Sequence, residues 1–352
     1  MVVLRRRQFL GLAFAQLALG ACRGATPTPK ASPSPKMCLG TPGAARPVEL
    51  IAWFDFPKDD PRSRELSGIA WDDATKTLWA VQDETPNIVP LVPDAKLARW
   101  SFGPTVHVEA EGKLDLEGIA ITPDGFLVAS EIGPRILETD RAGKARRDVA
   151  LPTKFSEAIR NKSLESLSLT PDGRFLFTTT EIGLPRDSPR ATTERGARVR
   201  ILRVDRTTGE NIEHAYASDP VAREDEDYGI ADLAALSQDE LFVLERGFSK
   251  GVGNRVRIYA VDLRDSQSVC GSLDSIGDLP VLPKTLIVDL GSLPVPADLP
   301  PAKQPEASPL LDNFEGLAIG PRLPDGRRAL FLVSDDNGRA TQFARLLVLA
   351  LA

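Results

Sequence analysis

Short apolar runs recur along the chain in pairs, and each pair is joined by a turn rich in Asp, Pro and Gly. In each pair, four or five apolar residues precede the turn, and a second apolar run after it ends in an acidic residue. This pattern is typical of a β-hairpin. The turn Thr-Pro-Asp-Gly occurs twice in full, at 122–125 and 170–173, and predicts a glycine with positive φ at its end. Five segments share the pattern: 65–84, 115–133, 163–181, 229–247 and 313–338.

The spacing of these hairpins predicts the fold. Their starts are about 50, 48, 66 and 84 residues apart, and the first two intervals match a four-stranded propeller blade. The longer intervals contain further strand candidates at 197–205, 255–263 and 284–291. A β-sandwich would not explain why the same hairpin recurs with the same acidic ends. We therefore predict an all-β protein, a monomeric β-propeller of about six four-stranded blades over residues 48–352.

The N-terminal residues predict export. Three arginines at 5–7 precede Gln-Phe-Leu, an apolar stretch at 10–21 is too short to span a bilayer, and Leu-Gly-Ala-Cys resembles a lipobox. We interpret residues 1–21 as a twin-arginine lipoprotein signal peptide, cleaved before an acylated Cys22. The Pro-, Thr- and Ser-rich residues 22–47 would form a flexible tether. We expect a lipid-anchored protein of the cell envelope, in the periplasm or on the outer surface, whose only membrane contact is this lipid.

The remaining cysteines and the net charge exclude several classes of site. Cys38 lies in the tether and Cys270 in a loop rich in Gly, Ser and Asp; outside the cytoplasm the two could form a disulfide, which the sequence leaves open. Neither belongs to a CxxC motif, so zinc and redox sites are not expected. Removal of residues 1–21 would delete three arginines and no acid, and would change the formal net charge from −6 to −9. An acidic surface argues against nucleic acid as a partner.

Acidic residues recur at two positions of the aligned hairpins. Since the first strand of each propeller blade lines the central channel, we predict that Glu117, Glu165, Asp232 and Glu315 form a ring that binds a metal. Oxygen ligands without imidazole or thiolate suit Ca²⁺ or Mg²⁺, and no nucleotide or haem is expected. Alternatively, these carboxylates accept backbone hydrogen bonds and fix the register between blades. The first position holds Ser67, Glu117, Glu165, Asp232 and Glu315, and the second holds Asp83, Glu131, Glu181, Glu245 and Asp335.

Other chemistry is limited by the residues present. The chain has two histidines, His107 and His214, both outside the hairpins, and no G-x-S-x-G motif, so a serine-triad esterase is disfavoured. Arg135, Arg246 and Arg255 follow second strands or flank the Gly-Val-Gly-Asn loop. They are candidates for binding an anionic substrate such as a phosphate ester; the alternative is that they are exposed loop cations.

Long ordered stretches of the chain resemble a known family. These are NKSLESLSLTPDGRFLFTTTE (161–181), VRILRVDRTTGE (199–210), GIADLAALSQDELFVLERGFSKGVGNRVRIYAVDL (229–263), DNFEGLAIGP (312–321) and LFLVSDDN (330–337).

Together they resemble the phytase-like "esterase-like activity of phytase" family of bacterial extracytoplasmic proteins, over about residues 50–350. The resemblance implies a β-propeller with phosphoester or ester hydrolysis, but no motif in it fixes catalytic residues. We expect a metal-assisted phytase-like hydrolase of phosphate esters; the alternative is a non-catalytic propeller that binds a small molecule, glycan or protein in the cell envelope.

Overall fold

The computed structural model describes residues 48–187, 190–264, 269–270 and 274–352. Its described residues form 22 strands in five antiparallel sheets, with three short 3-10 helices at Pro61–Ser63, Thr153–Glu157 and Leu290–Ser292. The predicted signal peptide, the tether, Cys22, Cys38 and the side chain of Cys270 lie outside the described residues. None of the helices described has the length and apolar character that a membrane span requires.

Each sheet is one blade, numbered here along the chain. The first strand, β1 (Val48–Asp55), joins the last blade. Blade 1 consists of β2 (Leu66–Asp72), β3 (Thr77–Gln82), β4 (Asn87–Pro93) and β5 (Trp100–Phe102), with the short β6 (Val106–His107) also paired to β4. Blade 2 consists of β7 (Leu116–Thr122), β8 (Gly125–Ser130), β9 (Arg135–Asp140) and β10 (Ala145–Val149).

The other three blades follow along the chain. Blade 3 consists of β11 (Ser168–Leu169), β12 (Phe175–Thr178), β13 (Arg198–Asp205), β14 (Asn211–Ala217) and β18 (Val269–Cys270). Blade 4 consists of β15 (Asp227–Ala235), β16 (Glu240–Ser249), β17 (Gly253–Asp262) and β19 (Lys284–Asp289). Blade 5 consists of β20 (Phe314–Arg322), β21 (Arg328–Ser334), β22 (Arg345–Leu351) and β1.

The five blades close into a ring. Their first strands contact one another in the order β2, β7, β11, β15 and β20, and β20 contacts β2 again. Strand β1 pairs with β22, so blade 5 contains both ends of the described chain. The prediction of an all-β propeller is confirmed, but the prediction of about six blades is wrong. The extra strand candidates in the long intervals are β13, β17 and β19, the outer strands of blades 3 and 4, and loops fill the remaining length.

The hydrophobic core lies between neighbouring blades. Val81 and Ile88 of blade 1 share a buried cluster with Phe126 and Val128 of blade 2, and equivalent clusters join blade 2 to blade 3, blade 3 to blade 4 and blade 5 to blade 1. Because each sheet packs against a neighbour on both faces, both faces of its strands are apolar. This explains why uninterrupted apolar runs such as 329–333 form strands.

The two Thr-Pro-Asp-Gly turns use their glycines differently. Gly173 has φ +70°, as the turn predicted. Gly125 is not among the residues with positive φ, so that part of the prediction is wrong. A Cβ on Gly125 would lie 1.8 Å from the carbonyl oxygen of Thr139, so this position requires glycine because the neighbouring strand approaches closely.

Replacing Gly68 by valine is expected to lower the free energy of unfolding by about 1–3 kcal/mol or more, because overpacking forces the backbone to move. A Cβ at Gly68 would lie 2.3 Å from the carbonyl oxygen of Glu117 and 2.8 Å from the Cα of Gly118. The first strands of blades 1 and 2 are therefore in backbone contact. Urea unfolding measures the effect, with Gly291→Ala as control, since its Cβ would meet no atom closer than 3.4 Å. Equal stability of the two variants would contradict this account of blade packing.

Candidate functional site

In three blades the pairing of the first strand is irregular next to a side chain that lines a central cavity. The pairing register shifts across Ser67 and Gly68 in β2, at Glu117 in β7 and at Glu315 in β20. A bulge leaves one residue unpaired and re-aims its side chain. In blade 3 the backbone N–H of Glu165 donates to the carbonyl of Thr179 at 3.2 Å just ahead of β11. All four of these side chains line one cavity on the axis.

Blade 4 departs from this arrangement by one residue in its first strand. The register shift lies between Ile230 and Asp232, so the bulged residue is Ala231. The predicted alignment of Asp232 with the ring acids is therefore wrong. The Asp232 carboxylate is buried away from the cavity and accepts hydrogen bonds from the backbone N–H groups of Leu317 and Leu233, each at 2.7 Å. It joins blade 4 to blade 5, which is the structural alternative that the sequence left open.

The second strand of blade 4 departs by one residue as well. Arg246, and not Glu245, lies in the cavity with the acids that end the second strands of the other blades. Glu245 is fully buried outside the cavity and accepts hydrogen bonds from Lys284 at 2.6 Å and from Tyr228 at 2.8 Å. Blade 4 thus contributes a cation to the cavity in place of two carboxylates.

The cavity encloses about 200 Å³ and carries a large excess of negative charge. Seven carboxylates line it, against one arginine and one lysine. Such mutual repulsion favours protonation of the acids or binding of a cation. The lining residues are Ser67, Asp83, Glu117, Glu131, Asn161, Lys162, Glu165, Glu181, Arg246, Glu315, Asp335 and Asn337.

On the side of blades 3 to 5, the acids have partners. Arg246 Nη2 lies 2.9 Å from Glu315 Oε1, and Lys162 Nζ lies 2.7 Å from Glu181 Oε1. Asp335 accepts hydrogen bonds from the Asn313 amide at 3.3 Å and from the backbone N–H of Asn337 at 2.7 Å. Two atoms of this side, Arg246 Nε and Glu315 Oε2, are buried without a hydrogen-bond partner among the described residues.

On the side of blades 1 to 3, no cation of the described residues forms an ion pair with Asp83, Glu117 or Glu165. Glu117 accepts a hydrogen bond from the Ser67 hydroxyl at 2.6 Å, and burial followed by repulsion from Asp83 raises its pKa well above the usual range. Burial, with help from neighbouring Asp115, raises the pKa of Asp83 to about 9. Burial and the charge of Glu117 likewise raise the pKa of Glu165. This half of the cavity has the composition of an oxygen-ligand cation site.

Two of the predicted substrate-binding arginines lie elsewhere. Arg135 pairs with Asp148 at 2.8 Å, and Arg255 pairs with Glu226 at 2.8 Å while its guanidinium lies 4.1 Å from the ring centre of Tyr228. Neither lines the cavity. Of the three predicted arginines, the structure brings only Arg246 together with the carboxylates Glu117, Glu165 and Glu315.

The two histidines lie outside the cavity. His107 is exposed, with Nδ1 3.1 Å from Asn87 Oδ1. His214 is buried in β14, where burial lowers its pKa to about 4. The described part of the cavity therefore offers a serine hydroxyl, Ser67, without an imidazole beside it.

Sequence reasoning missed two amides at the cavity. Asn161 and Asn337 line it with left-handed backbones, at φ +57° and +47°, a conformation that asparagine tolerates better than most residues. Residues in this region cluster at functional sites. Their closeness in sequence to aligned acids could have indicated this position, because Asn161 lies four residues before Glu165 and Asn337 lies two residues after Asp335.

The fold and the cavity define a five-bladed β-propeller with a carboxylate-lined central cavity. The family model for phytase-like proteins, described as esterase-like activity of phytase, matches residues 61–338, and the chain belongs to this family. A comparison with curated proteins gives no match.

Several solved structures are similar in fold. Hydrazine synthase of Kuenenia stuttgartiensis is 12% identical with a TM-score of 0.36; the match covers 80% of this chain but only 60% of that one. The PQQ-bound aldose sugar dehydrogenase of Streptomyces coelicolor is 12% identical with a TM-score of 0.44, over 89% of this chain and 100% of that one. The calcium-binding protein regucalcin of Agrobacterium tumefaciens is 12% identical with a TM-score of 0.41, over 86% and 96%.

The metal-free protein is expected to become less stable as the pH rises. Burial raises the folded-state pKa of Asp83 to about 9 and that of Asp335 to about 8, from an ordinary 3.8, so the folded protein holds more protons than the unfolded chain between these values. The stability from these groups is present below pH 3.8 and is lost as the pH rises through 8 and 9. Melting temperatures in chelator should fall from about pH 6 to about pH 9, and fall less in Asp335→Asn. A melting temperature that rises over this interval would contradict the prediction.

Proposed function

We propose that this propeller hydrolyses phosphate esters in its central cavity with the help of a divalent cation, Ca²⁺ or Mg²⁺. The observation that carries the proposal is the charge of the cavity, whose described lining contains seven carboxylates and two cations, Arg246 and Lys162. Oxygen-only ligands of this kind suit hard divalent cations. A site with carboxylates on one side and an arginine on the other suits a substrate that carries a phosphoryl group.

Arg246 is the candidate residue for holding the phosphoryl group. Its Nη2 is engaged by Glu315, while its buried Nε has no hydrogen-bond partner among the described residues and lacks an acceptor such as a phosphoryl oxygen. Lys162 lies in the same cavity, 2.7 Å from Glu181 and 2.8 Å from Asp227. Both cations are held by acids of blades 3 to 5, and this orients them before a substrate arrives.

The size of the cavity limits what enters it. A cavity of about 200 Å³ has room for a phosphoryl group together with water molecules. The alcohol part of the ester would then lie outside the cavity mouth. We therefore expect the enzyme to accept monoesters of several alcohols that share a terminal phosphate.

The reaction is an in-line hydrolysis. The oxygen of a water molecule forms a bond to phosphorus, the bond between phosphorus and the ester oxygen breaks, and the alcohol and inorganic phosphate are released. A carboxylate of the cavity accepts the proton of the attacking water, and the leaving oxygen takes up a proton from solvent, to which the carboxyl group later releases the one it accepted. A bound divalent cation supplies a Lewis acid that stabilises the charge of the phosphoryl group.

Hydrolysis assays on the purified protein test the proposal. A panel of phosphate monoesters and carboxylic esters is assayed with Ca²⁺, with Mg²⁺ and with chelator. Phosphate release is expected only with a cation, and Glu117→Gln should reduce it by about 10-fold to 100-fold. Asp124→Asn, which removes an exposed acid at the turn between β7 and β8, is the control and should retain activity. Cation-independent turnover would contradict the proposal, and no turnover at all would favour the non-catalytic binding propeller.

The cellular location also remains a proposal. We propose that the chain is exported through its twin arginines and anchored to the membrane by a lipid on Cys22, which places the cavity in the cell envelope. The support is the N-terminal sequence. Expression of a Cys22→Ala variant tests it, because the variant should leave the membrane fraction while the wild type stays in it. Equal partition of both forms would contradict lipid anchoring.

A further inference from the structure

We propose that Asp83, Asp115 and Glu117 bind a calcium ion. This assignment rests on the proposed function, since it gives a place to the cation used there. Cation binding can nevertheless be measured without any substrate. Asp115 was not among the predicted metal ligands and does not line the cavity itself. Calcium binding that depends on Asp115 would therefore identify this site and not the cavity in general.

The three carboxylates converge on one point. One oxygen from each of Asp83, Asp115 and Glu117 lies within 4.8 Å of the others. Oxygens that each bind Ca²⁺ at 2.3–2.6 Å lie at most about 5 Å apart, so one ion can reach all three. The shorter bonds of Mg²⁺, about 2.0–2.1 Å in a strict octahedron, require a tighter group. The absence of sulfur and nitrogen ligands from this trio also favours a hard cation.

The backbone holds this group in place before an ion binds. Asp83 directly follows β3, and its carbonyl oxygen accepts a hydrogen bond from the N–H of Leu116 at 3.4 Å. The N–H of Asp115 donates to the Ser130 hydroxyl at 3.1 Å. Glu117 lies at the bulge of β7, between residues whose pairing is regular. The ligands therefore come from the ends of paired strands and not from a long loop, which is typical of a preorganised site.

A buried carboxylate oxygen without a partner, and a buried carboxylate side chain in the same cavity, provide independent support for a ligand at this position. Asp115 Oδ1 is buried and has no hydrogen-bond partner among the described residues. The side chain of Glu165, in the same cavity as Asp83 and Glu117, is only 8% exposed and makes no hydrogen bond or ion pair with the residues described. An uncompensated buried carboxylate is costly in free energy, and a divalent cation would compensate several at once.

The other cavity acids are already engaged. Glu181 pairs with Lys162, and Glu315 with Arg246. Glu131 accepts a hydrogen bond from the backbone N–H of Ser163 at 3.1 Å. The calcium site therefore occupies the side of blades 1 to 3, while Arg246 and Lys162 leave the opposite side for an anion. This polarity matches a phosphate ester held between a cation and an arginine.

Direct binding measurements test the assignment. Chelator-treated protein is titrated with Ca²⁺ by calorimetry, and Tb³⁺ luminescence provides a second probe of the same site. Asp115→Asn and Glu117→Gln are each expected to weaken Ca²⁺ binding about tenfold or more. Asp335→Asn removes a carboxylate of the same cavity whose oxygens already accept hydrogen bonds, and it should change the affinity by less than about threefold. Circular dichroism shows whether each variant is folded. If Asp115→Asn does not fold, the calcium affinity of Glu117→Gln decides the test.

The results of the calcium titrations and the hydrolysis assays distinguish this site from the proposed function. Absence of Ca²⁺ binding to the wild type, unchanged binding in folded Asp115→Asn and Glu117→Gln, or equal weakening in Asp335→Asn would overturn the inference. Calcium binding that depends on Asp115 and Glu117 in a protein that hydrolyses no phosphate ester would support this site and reject the proposed function. Cation-dependent hydrolysis with unchanged binding in both variants would support the function and reject this site.

Discussion

Replacing Arg200 by methionine is expected to lower the free energy of unfolding by about 3–5 kcal/mol, because removing one member of a buried ion network leaves the others uncompensated. Arg200 lies in β13 and is completely buried. Its Nε donates to Asp187 Oδ2 at 2.5 Å and its Nη2 to Asp187 Oδ1 at 2.9 Å, while its Nη1 donates to Glu213. Lys154 Nζ lies 3.0 Å from Glu213 Oε1. The positive charges of Arg200 and Lys154 therefore equal the negative charges of their two acidic partners.

Urea unfolding monitored by circular dichroism measures this loss. The matched control is Arg147→Met, because the Arg147 side chain is 71% exposed and pairs with Glu138 at the surface. Exposed pairs contribute about 0–1 kcal/mol. If the two variants lost the same free energy, the buried network would not contribute to stability in the way its geometry indicates.

Replacing Arg246 by glutamine is expected to lower kcat/KM for phosphate ester hydrolysis by about 10²–10³-fold, the effect of removing one preorganised donor from a site of developing negative charge. Arg246 is the only arginine that lines the described cavity. Glutamine keeps a hydrogen-bond donor but loses the charge and the two-pronged geometry that fits a phosphoryl group. The affinity for Ca²⁺ should persist or increase, since a positive charge leaves the cavity.

Steady-state kinetics and calcium titration on the same preparation check both parts of this expectation. Arg264→Gln is the control, because Arg264 belongs to the same blade, is exposed and pairs with Asp262 away from the cavity. Unchanged hydrolysis by Arg246→Gln would remove this residue from the site. Loss of hydrolysis together with loss of calcium binding would indicate a structural role for Arg246 instead.

The repeated hairpins contained enough information to predict the propeller but not its number of blades. The hairpin pattern depends on local alternation and turn residues, which the sequence displays directly. Blade number depends on whether the residues of a long interval form another blade or loops. In the interval before blade 5, residues 290–313 contain only the 3-10 helix Leu290–Ser292. No pattern of apolar and polar residues in this interval indicated a loop instead of further strands.

Only part of the candidate site was predicted, because the sequence pattern does not show where a strand is irregular. Glu117, Glu165 and Glu315 reach the cavity as their repeat positions indicated, and Arg246 reaches it as a residue that follows a second-strand acid. Asp232 does not, because a shift of one residue along a strand turns a side chain to the other face, and the bulge in blade 4 falls at Ala231. Alignment by residue type favoured the nearby acid over the alanine that occupies the ring position.

The central claim is that the cavity binds a divalent cation through its carboxylates. Crystals soaked in Mn²⁺, a cation that also prefers oxygen ligands, can be measured at the manganese absorption edge to locate the ion directly. We expect an anomalous peak bounded by Asp83, Asp115 and Glu117, with Arg246 on the far side of the cavity. Crystals with no peak in the cavity, or with manganese bound only at other residues, would contradict it.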